Sequence, residues 1–192
     1  MIYIFTGDGK GKTSAALGVM LRGLSQEWKV CWISWYKEST WQISEHKLDT
    51  VLTKKAQENL QFYPMGKGFY IQKPDQTVKG TKIAKVNSAV VVDDDSPEAH
   101  KTASKEALAK ASACIESVDL LILDEICNAV SEGLLEEKEV LSLLEKRKNC
   151  HVILTGRSAT PNLQNVADLV SEVKKIKHPF DSGGLAVQGL DY

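Results

Sequence analysis

The sequence lacks an excess of charge of either sign and lacks a long apolar run. Its 192 residues hold 24 Lys plus Arg against 25 Asp plus Glu, for a formal net charge of -1. This balance excludes a nucleic-acid binder that depends on bulk positive charge, although a local basic patch stays compatible with it. No apolar run approaches the roughly 20 residues that a helix needs to span a bilayer. We therefore expect neither nucleic acid nor a membrane as a partner.

The sequence also lacks the features of an exported, disulfide-bonded protein. Its four cysteines, Cys31, Cys114, Cys127 and Cys150, form no CxxC pair and lie at no zinc-finger spacing. We expect them to pack as small apolar groups. Residues 1–7 have no basic n-region and no small-residue cleavage site, which predicts a cytoplasmic protein.

Short apolar segments alternate with amphipathic ones along the chain, and the length suits one domain over residues 1–192. Strands are predicted at Ile2–Phe5, Val30–Trp35, Leu60–Tyr63, Asp119–Glu125, Val152–Leu154 and Leu169–Ile176. Helices are predicted at Ser14–Ser25, Ser44–Glu58, from Ser96-Pro97 onward, at Glu136–Lys148 and at Asn162–Asp168. Near-continuous apolar strands between helices predict an α/β fold with a parallel sheet covered on both faces.

Residues 65–97 break this alternation. They hold several glycines and prolines, four lysines between Lys73 and Lys85, and the acidic run Asp93–Asp95. We predict a long, partly mobile excursion over one end of the sheet, with one short strand at Ala89–Val92. A solvated loop and a functional lid are equally compatible with this composition.

The strongest chemical motif is Thr6-Gly7-Asp8-Gly9-Lys10-Gly11-Lys12-Thr13, between the first strand and the first helix. Glycines let a backbone wrap a phosphate with its N–H groups pointing inward, and the helix N-terminus adds partial positive charge. Lys12 would place its charge on the phosphates, and Thr13 would offer an oxygen to Mg²⁺. The first position is Thr6 where the usual pattern has Gly, so a plain glycine-rich turn remains the alternative.

Two further motifs end buried strands. Asp124 and Glu125 close the predicted strand Asp119–Glu125, and Arg157 follows the strand at Val152–Leu154. Parallel strands end at the same edge, so we expect these side chains near the phosphates, the acids toward a metal and the arginine toward an anion. The alternatives are two solvated acids and a turn arginine paired to a surface acid. Arg22, in the first helix, is compatible with a phosphate ligand or with a surface residue.

The chemistry of two further segments is compatible with more than one role. Met65-Gly66-Lys67-Gly68-Phe69-Tyr70-Ile71 places two large rings in a glycine-containing loop, which suits a ligand with a flat apolar face or simply pins the loop to the core. His178, within Lys177–Gly183, is compatible with a general base or a structural role.

In order along nearly the whole chain, these segments resemble the P-loop-type corrinoid adenosyltransferases, which act on ATP and cob(I)alamin. The matching segments are Thr6–Thr13, Arg22, Trp35–Lys37, Met65–Phe69, Leu123–Glu125, Thr155–Arg157, Lys177–Gly183 and Gln188-Gly189. The resemblance implies a RecA-like P-loop NTPase fold, a mostly parallel sheet with helices on both faces, in a homodimer.

The resemblance also implies the chemistry. ATP lies in the loop in a reversed sense, cobalt(I) of the reduced corrinoid attacks the ribose 5′ carbon, and triphosphate leaves. Lys10, Lys12 and Mg²⁺ neutralise the leaving group, while Phe69 packs on the corrin and displaces its lower axial ligand. A flavodoxin-like reductase would be a transient partner.

The implied site residues fall into three sets. ATP would be held by Thr6, Gly7, Asp8, Gly9, Lys10, Gly11, Lys12, Thr13, Ser14, Arg22 and Arg157. The corrinoid would be held by Met65, Gly66, Gly68, Phe69, Tyr70 and Ile71, and the metal by Thr13, Asp124 and Glu125.

The chain departs from the family on the corrinoid side. Phe69-Tyr70-Ile71 stands where the family commonly has Phe-Thr-Trp, and about 20 additional residues lie within residues 74–95. Two alternatives follow: a phosphoryl-transferring P-loop ATPase or kinase, and a non-catalytic protein that binds vitamin B12.

Overall fold

The computed structural model describes residues 1–41, 43–86 and 89–191 and contains a six-stranded sheet. Its strands are β1 (Ile2–Thr6), β2 (Val30–Ser34), β3 (Leu60–Pro64), β7 (Leu120–Asp124), β8 (His151–Thr155) and β9 (Leu169–Glu172). Their order is β3-β2-β7-β8-β1-β9, and every neighbouring pair is parallel. The predicted α/β fold with a parallel sheet is confirmed.

Helices occupy both faces of this sheet. The α-helices are α1 (Lys12–Ser25), α2 (Leu48–Val51), α3 (Lys54–Glu58), α4 (Pro97–Cys114), α5 (Ile126–Ser131), α6 (Glu137–Glu145) and α7 (Pro161–Asn165). Two 3-10 helices span Ser44–Lys47 and Pro179–Ser182. Ser96 caps α4 by accepting a hydrogen bond from the Ala99 N–H, and Pro97 opens the helix as predicted.

Alternate strand residues supply two separate cores. In β7, Leu121 and Leu123 pack in the layer under α4, α5 and α6, whereas Leu120 and Ile122 pack in the layer under α1. Successive side chains of a strand point to opposite faces, so a strand that is apolar throughout must be covered on both. All five residues of β7 are buried.

Two predicted elements differ in the structure, and one helix was not predicted. The single helix predicted at Ser44–Glu58 is three short helices, because Thr53 adopts an extended conformation and caps α3 through the Ala56 N–H. The strand predicted at Leu169–Ile176 ends at Glu172. The helix α5 was not predicted.

A second sheet occupies part of the predicted excursion. Its strands β4 (Gln76–Val78), β5 (Thr81–Val86) and β6 (Ala89–Asp93) pair antiparallel in the order β4-β5-β6. The strand predicted at Ala89–Val92 is present, but β4 and β5 replace predicted loop. The predicted insertion at 74–95 spans this sheet, and its residues 87 and 88 lie outside the described residues.

The cysteines and the helices bear on two of the predictions. All four cysteines are buried and carry free thiols, as predicted. Within residues 1–41, 43–86 and 89–191, every helix is too short or too polar to cross a bilayer.

Two helical glycines of α1 allow a test of this packing. An added Cβ at the exposed Gly18 meets no atom within 4 Å, whereas at the buried Gly23 it would lie 3.3 Å from Cε3 of Trp28. We expect Gly18→Ala to raise the free energy of unfolding by about 0.5–1 kcal/mol, because alanine loses less backbone entropy in a helix. Gly23→Ala should raise the free energy of unfolding by less, because the added Cβ is crowded by Trp28. Urea unfolding of both variants measures the difference, and an equal gain at both positions would contradict the packing described.

Candidate functional site

The glycine-rich loop Thr6–Thr13 connects β1 to α1 and lies against residues 173–174. The Gly9 N–H donates to the Val173 carbonyl at 2.7 Å. An added Cβ at Gly7 would lie 2.4 Å from that same carbonyl oxygen, and Gly7 also has a φ of 105°. Only glycine fits this close approach with a positive φ. The loop is therefore held in one conformation from outside as well as by its own residues.

Lys12 folds back over this loop. Its ammonium donates to the Gly9 carbonyl at 2.7 Å, and the side chain is buried at the first turn of α1. Burial lowers the pKa of Lys12 below its ordinary value, while the Glu125 carboxylate opposes that shift. The result is a cation held at the helix N-terminus, where an anionic ligand is favoured.

The Asp124 carboxylate lies at the centre of the floor of the site and is fully buried. Its Oδ1 accepts from the hydroxyls of Thr13 at 3.0 Å and Thr155 at 2.8 Å. Its Oδ2 accepts from Ser34 at 3.4 Å and lies 3.0 Å from the ammonium of Lys37. One acid thereby connects α1 with the ends of β2, β7 and β8.

Lys37 compensates the charge of that buried acid. It lies 3.0 Å from Asp124 and 3.0 Å from Oε1 of Glu45. Burial alone lowers the pKa of Lys37, but the two carboxylates hold it above its ordinary value. Lys37 is thus a charged residue of the site. The sequence indicated it only as the last residue of the segment Trp35–Lys37.

Glu125 sits where β7 turns into α5. Its φ is 67°, and its N–H donates to the Thr155 hydroxyl at 2.9 Å. Burial, together with the neighbouring Asp124, raises the pKa of Glu125 to about 7. The carboxyl borders the cleft above Asp124.

A cleft of about 1060 Å³ opens above these groups. The predicted nucleotide and metal residues that line it are Asp8, Gly9, Lys10, Gly11, Lys12, Thr13, Ser14, Glu125 and Arg157. Asp124 lies beneath the cleft. Arg22, in contrast, is exposed in the last turn of α1 and is not brought to the cleft.

Two lysines of the cleft, Lys47 and Lys175, belong to none of the predicted motifs, whereas His178 lies in the segment Lys177–Gly183. Lys47 and Lys175 add two more ammonium groups to the lining, and His178 borders it as well. The C-terminal segment contributes Asp191, which pairs with Lys10 at 2.5 Å. Among the described residues, six Lys or Arg side chains and five Asp or Glu side chains line the cleft, so the N-terminus of α1 adds to a small excess of positive charge that favours an anion.

The aromatic loop, residues 65–71, starts beside this cleft but outside its lining. The Met65 N–H donates to the Ser34 carbonyl at 3.0 Å, and the Gly66 N–H donates to the Lys37 carbonyl at 2.9 Å. An added Cβ at Gly66 would lie 2.2 Å from the Tyr36 nitrogen, so a side chain there would displace the loop. The loop is joined to the cleft through the backbone of residues 34–37.

Phe69 is the exposed ring of the aromatic loop. It is 51% exposed, and its ring centroid lies 5.2 Å from that of Trp41. The ring centroid of Tyr70 instead lies 4.9 Å from that of His100, with the two rings tilted, and Ile71 is buried. The sequence resemblance places a second aromatic after Phe69, but the ring beside Phe69 comes from Trp41, earlier in the chain.

The Thr155 hydroxyl offers a direct test of the floor of the site. It donates to Asp124 and accepts from the Glu125 N–H, and the side chain is fully buried. We expect Thr155→Val to lower the free energy of unfolding by about 1–3 kcal/mol, because two buried polar groups each lose a partner. Thr102→Val, at an exposed position of α4, should stay within about 0.5 kcal/mol. Equal unfolding midpoints in urea would contradict this role.

The sequence of the chain is similar over its whole length to known proteins of one family. The sequence model of the family described as ATP:corrinoid adenosyltransferase BtuR/CobO/CobP matches residues 1–192. The chain is 31% identical to a corrinoid adenosyltransferase of Escherichia coli K12 over 195 aligned positions, covering 100% of this chain and 85% of that protein. A corrinoid adenosyltransferase of Sinorhizobium is 31% identical, with 100% and 80% covered. Corrinoid adenosyltransferase CobA of Salmonella typhimurium is 31% identical, with 100% and 85% covered. Because the family's sequence model matches every residue and these relatives are 31% identical over the full chain, the chain belongs to the ATP:corrinoid adenosyltransferase family.

Proposed function

We propose that this protein transfers the 5′-deoxyadenosyl group of ATP to the cobalt of a reduced corrinoid and releases triphosphate. The observation that carries the proposal is the junction at residues 34–37. The Lys37 side chain reaches Asp124 under the phosphate cleft, and its carbonyl holds Gly66 of the aromatic loop. This junction would hold a triphosphate in the cleft beside a corrin ring on the aromatic loop, as a reaction between the two requires.

The reaction needs alignment and charge neutralisation rather than a protein nucleophile. The cobalt(I) of the substrate attacks the ribose 5′ carbon, a cobalt–carbon bond forms, and the carbon–oxygen bond to the triphosphate breaks. The departing triphosphate takes the bonding electron pair. Lys12, Lys10 and the Gly11 N–H would stabilise that charge.

The remaining nucleotide residues follow from the cleft. Asp8, Thr13, Ser14 and Arg157 border it with the loop, whereas Thr6 and Gly7 hold the loop in place from beneath. Thr6 accepts from the Ala159 N–H at 3.2 Å. Arg22 lies outside the cleft, and its part in ATP binding stays a prediction.

We assign Mg²⁺ to Thr13 and Asp124, with Glu125 beside them. The two oxygen atoms lie 3.0 Å apart at the floor of the cleft, and hard oxygen donors suit this ion. The described residues hold no group of three His, Cys, Asp or Glu side chains able to bind a metal, so phosphates and water would complete the coordination. When bound, Mg²⁺ would neutralise part of the triphosphate charge.

The corrinoid is assigned to the aromatic loop of residues 65–71. Phe69 is about half exposed to solvent, and covering its ring with a flat apolar ligand would lower the free energy of the complex. Met65, Gly66 and Gly68 shape the loop, while Tyr70 and Ile71 attach it to the rest of the molecule. A homodimer and a flavodoxin-like reductase partner, both implied by the resemblance, stay predictions, and so does a cytoplasmic location.

The decisive experiment supplies ATP, Mg²⁺ and cob(I)alamin under reducing conditions and identifies the products. Adenosylcobalamin with triphosphate supports the proposal. ADP with phosphate would indicate a phosphoryl-transferring ATPase or kinase instead, and tight corrinoid binding with no product would indicate a non-catalytic binding protein.

Lys12→Ala should lower kcat/KM by about 100-fold or more, because a cation aimed at the leaving triphosphate is lost. Lys101→Ala is the matched control, since Lys101 is exposed on α4 and lies outside the cleft. The rate of adenosylcobalamin formation measures both variants, and comparable activity in the two would refute the role of Lys12.

Phe69→Ala should raise the KM for the corrinoid about tenfold, because the exposed ring no longer packs on it. The KM for ATP should stay within about twofold, since Phe69 does not line the phosphate cleft. Steady-state kinetics with each substrate varied in turn separates the two constants. A parallel rise in both would show that the ring does not act on the corrinoid alone.

A further inference from the structure

A buried carboxylate outside the cleft fixes the far end of the aromatic loop. Asp93 ends β6 and is 2% exposed. Its Oδ2 accepts from the Ile71 N–H at 2.9 Å and from the Lys82 ammonium at 2.7 Å. Its Oδ1 lies 3.0 Å from Nε2 of His100 and accepts from the Asp95 N–H at 3.2 Å. Four groups from different segments of the chain thus converge on one acid.

Two of those partners, Lys82 and His100, also lie against the ring of Tyr70, the residue after Phe69. The ring centroids of Tyr70 and His100 lie 4.9 Å apart, and the ammonium of Lys82 lies 5.4 Å from the Tyr70 ring centroid. The residue after it, Ile71, is bound by its N–H to Asp93. The backbone and the side chain that follow Phe69 are therefore both attached to the same cluster.

The aromatic loop is anchored at both ends, with Phe69 between the anchors. Its first end is bound through the Met65 and Gly66 N–H groups to the strand beside the phosphate cleft. Its second end is bound to Asp93 and so to the second sheet. Moving the second anchor must change where the exposed ring lies relative to the cleft.

The charges of the cluster make Asp93 hard to replace. Burial by itself raises the pKa of this acid, but the Ile71 N–H, Lys82 and His100 together hold it below its ordinary value. The ionised acid in turn compensates the largely buried Lys82 ammonium. An uncharged residue at position 93 would leave that ammonium without its counter-charge.

We propose that Asp93 is a positioning residue for the corrinoid: through Ile71, Lys82 and His100 it makes the β4–β6 sheet a support that sets where Phe69 meets the ring. This inference rests on the proposed function. It gives the segment of residues 74–95 a definite role on the corrinoid side of the reaction.

The test compares Asp93→Asn with Asp94→Asn, which removes the same charge from the exposed neighbouring residue. Asp93→Asn should raise the KM for cob(I)alamin about tenfold, the effect of one charge-assisted hydrogen bond, and leave the KM for ATP within about twofold. Asp94→Asn should change neither. An unchanged corrinoid KM, or an equal rise in both constants, overturns the proposal.

Hydrogen exchange supplies a readout that needs no turnover. The amides of residues 65–71 should exchange faster in Asp93→Asn than in the wild-type chain, whereas the amides of the loop at residues 6–13 should not change. Unchanged exchange at residues 65–71 overturns the inference. If the wild-type protein forms no adenosylcobalamin, the proposed function fails by itself, and the exchange result still decides whether Asp93 holds the loop.

A second variant covers the case in which Asp93→Asn does not fold. Lys82→Met keeps most of the apolar stem and removes the ammonium that binds Asp93 and faces Tyr70. We expect a rise of about threefold in the corrinoid KM, with the ATP KM unchanged. A lower unfolding temperature with both KM values unchanged would reduce the cluster to a structural role and overturn the proposal.

Discussion

The buried carboxylate of Asp124 is the interaction on which the site depends. An ionised acid removed from water is costly unless donors surround it, and here two threonine hydroxyls, a serine hydroxyl and the Lys37 ammonium do so. Those donors come from α1 and from the ends of β2 and β8. The phosphate loop, the floor of the cleft and the strand leading to the aromatic loop must therefore adopt compatible positions.

A second buried acid serves the other substrate side in the same physical way. Asp93 closes β6 as Asp124 closes β7, and each pairs with a lysine: Asp124 with Lys37, which follows β2, and Asp93 with Lys82, its cross-strand partner in β5. The near-zero net charge of the chain hides this arrangement, because the informative charges are buried in pairs rather than spread over the surface. The two clusters are connected by the aromatic loop, whose first end contacts residues 34–37 and whose second end contacts Asp93.

Sequence reasoning predicted the parts of the fold in which local pattern and tertiary packing agree. The apolar run of β7 is buried on both faces, and its terminal acids lie beside Thr155 because parallel strands end at one edge. Elsewhere the ends of the helices and strands depend on contacts with residues outside the local segment. Thr53 ends one short helix and caps the next, and the backbone of Val173 leaves β9 to bind Thr6 and Gly9. A helical pattern or an apolar run alone does not reveal such contacts.

The sequence by itself determined the glycine-rich loop, the strand-end acids and the aromatic loop, because each is a compact pattern whose chemistry depends on residues a few positions apart. Only the tertiary structure decided which residues those patterns bind. Asp93 meets Ile71 and Lys82 across 22 and 11 positions, and Thr13 meets Asp124 across 111. Partners at such distances leave no local signal, since a buried carboxylate accepts any donor that the packing brings within reach.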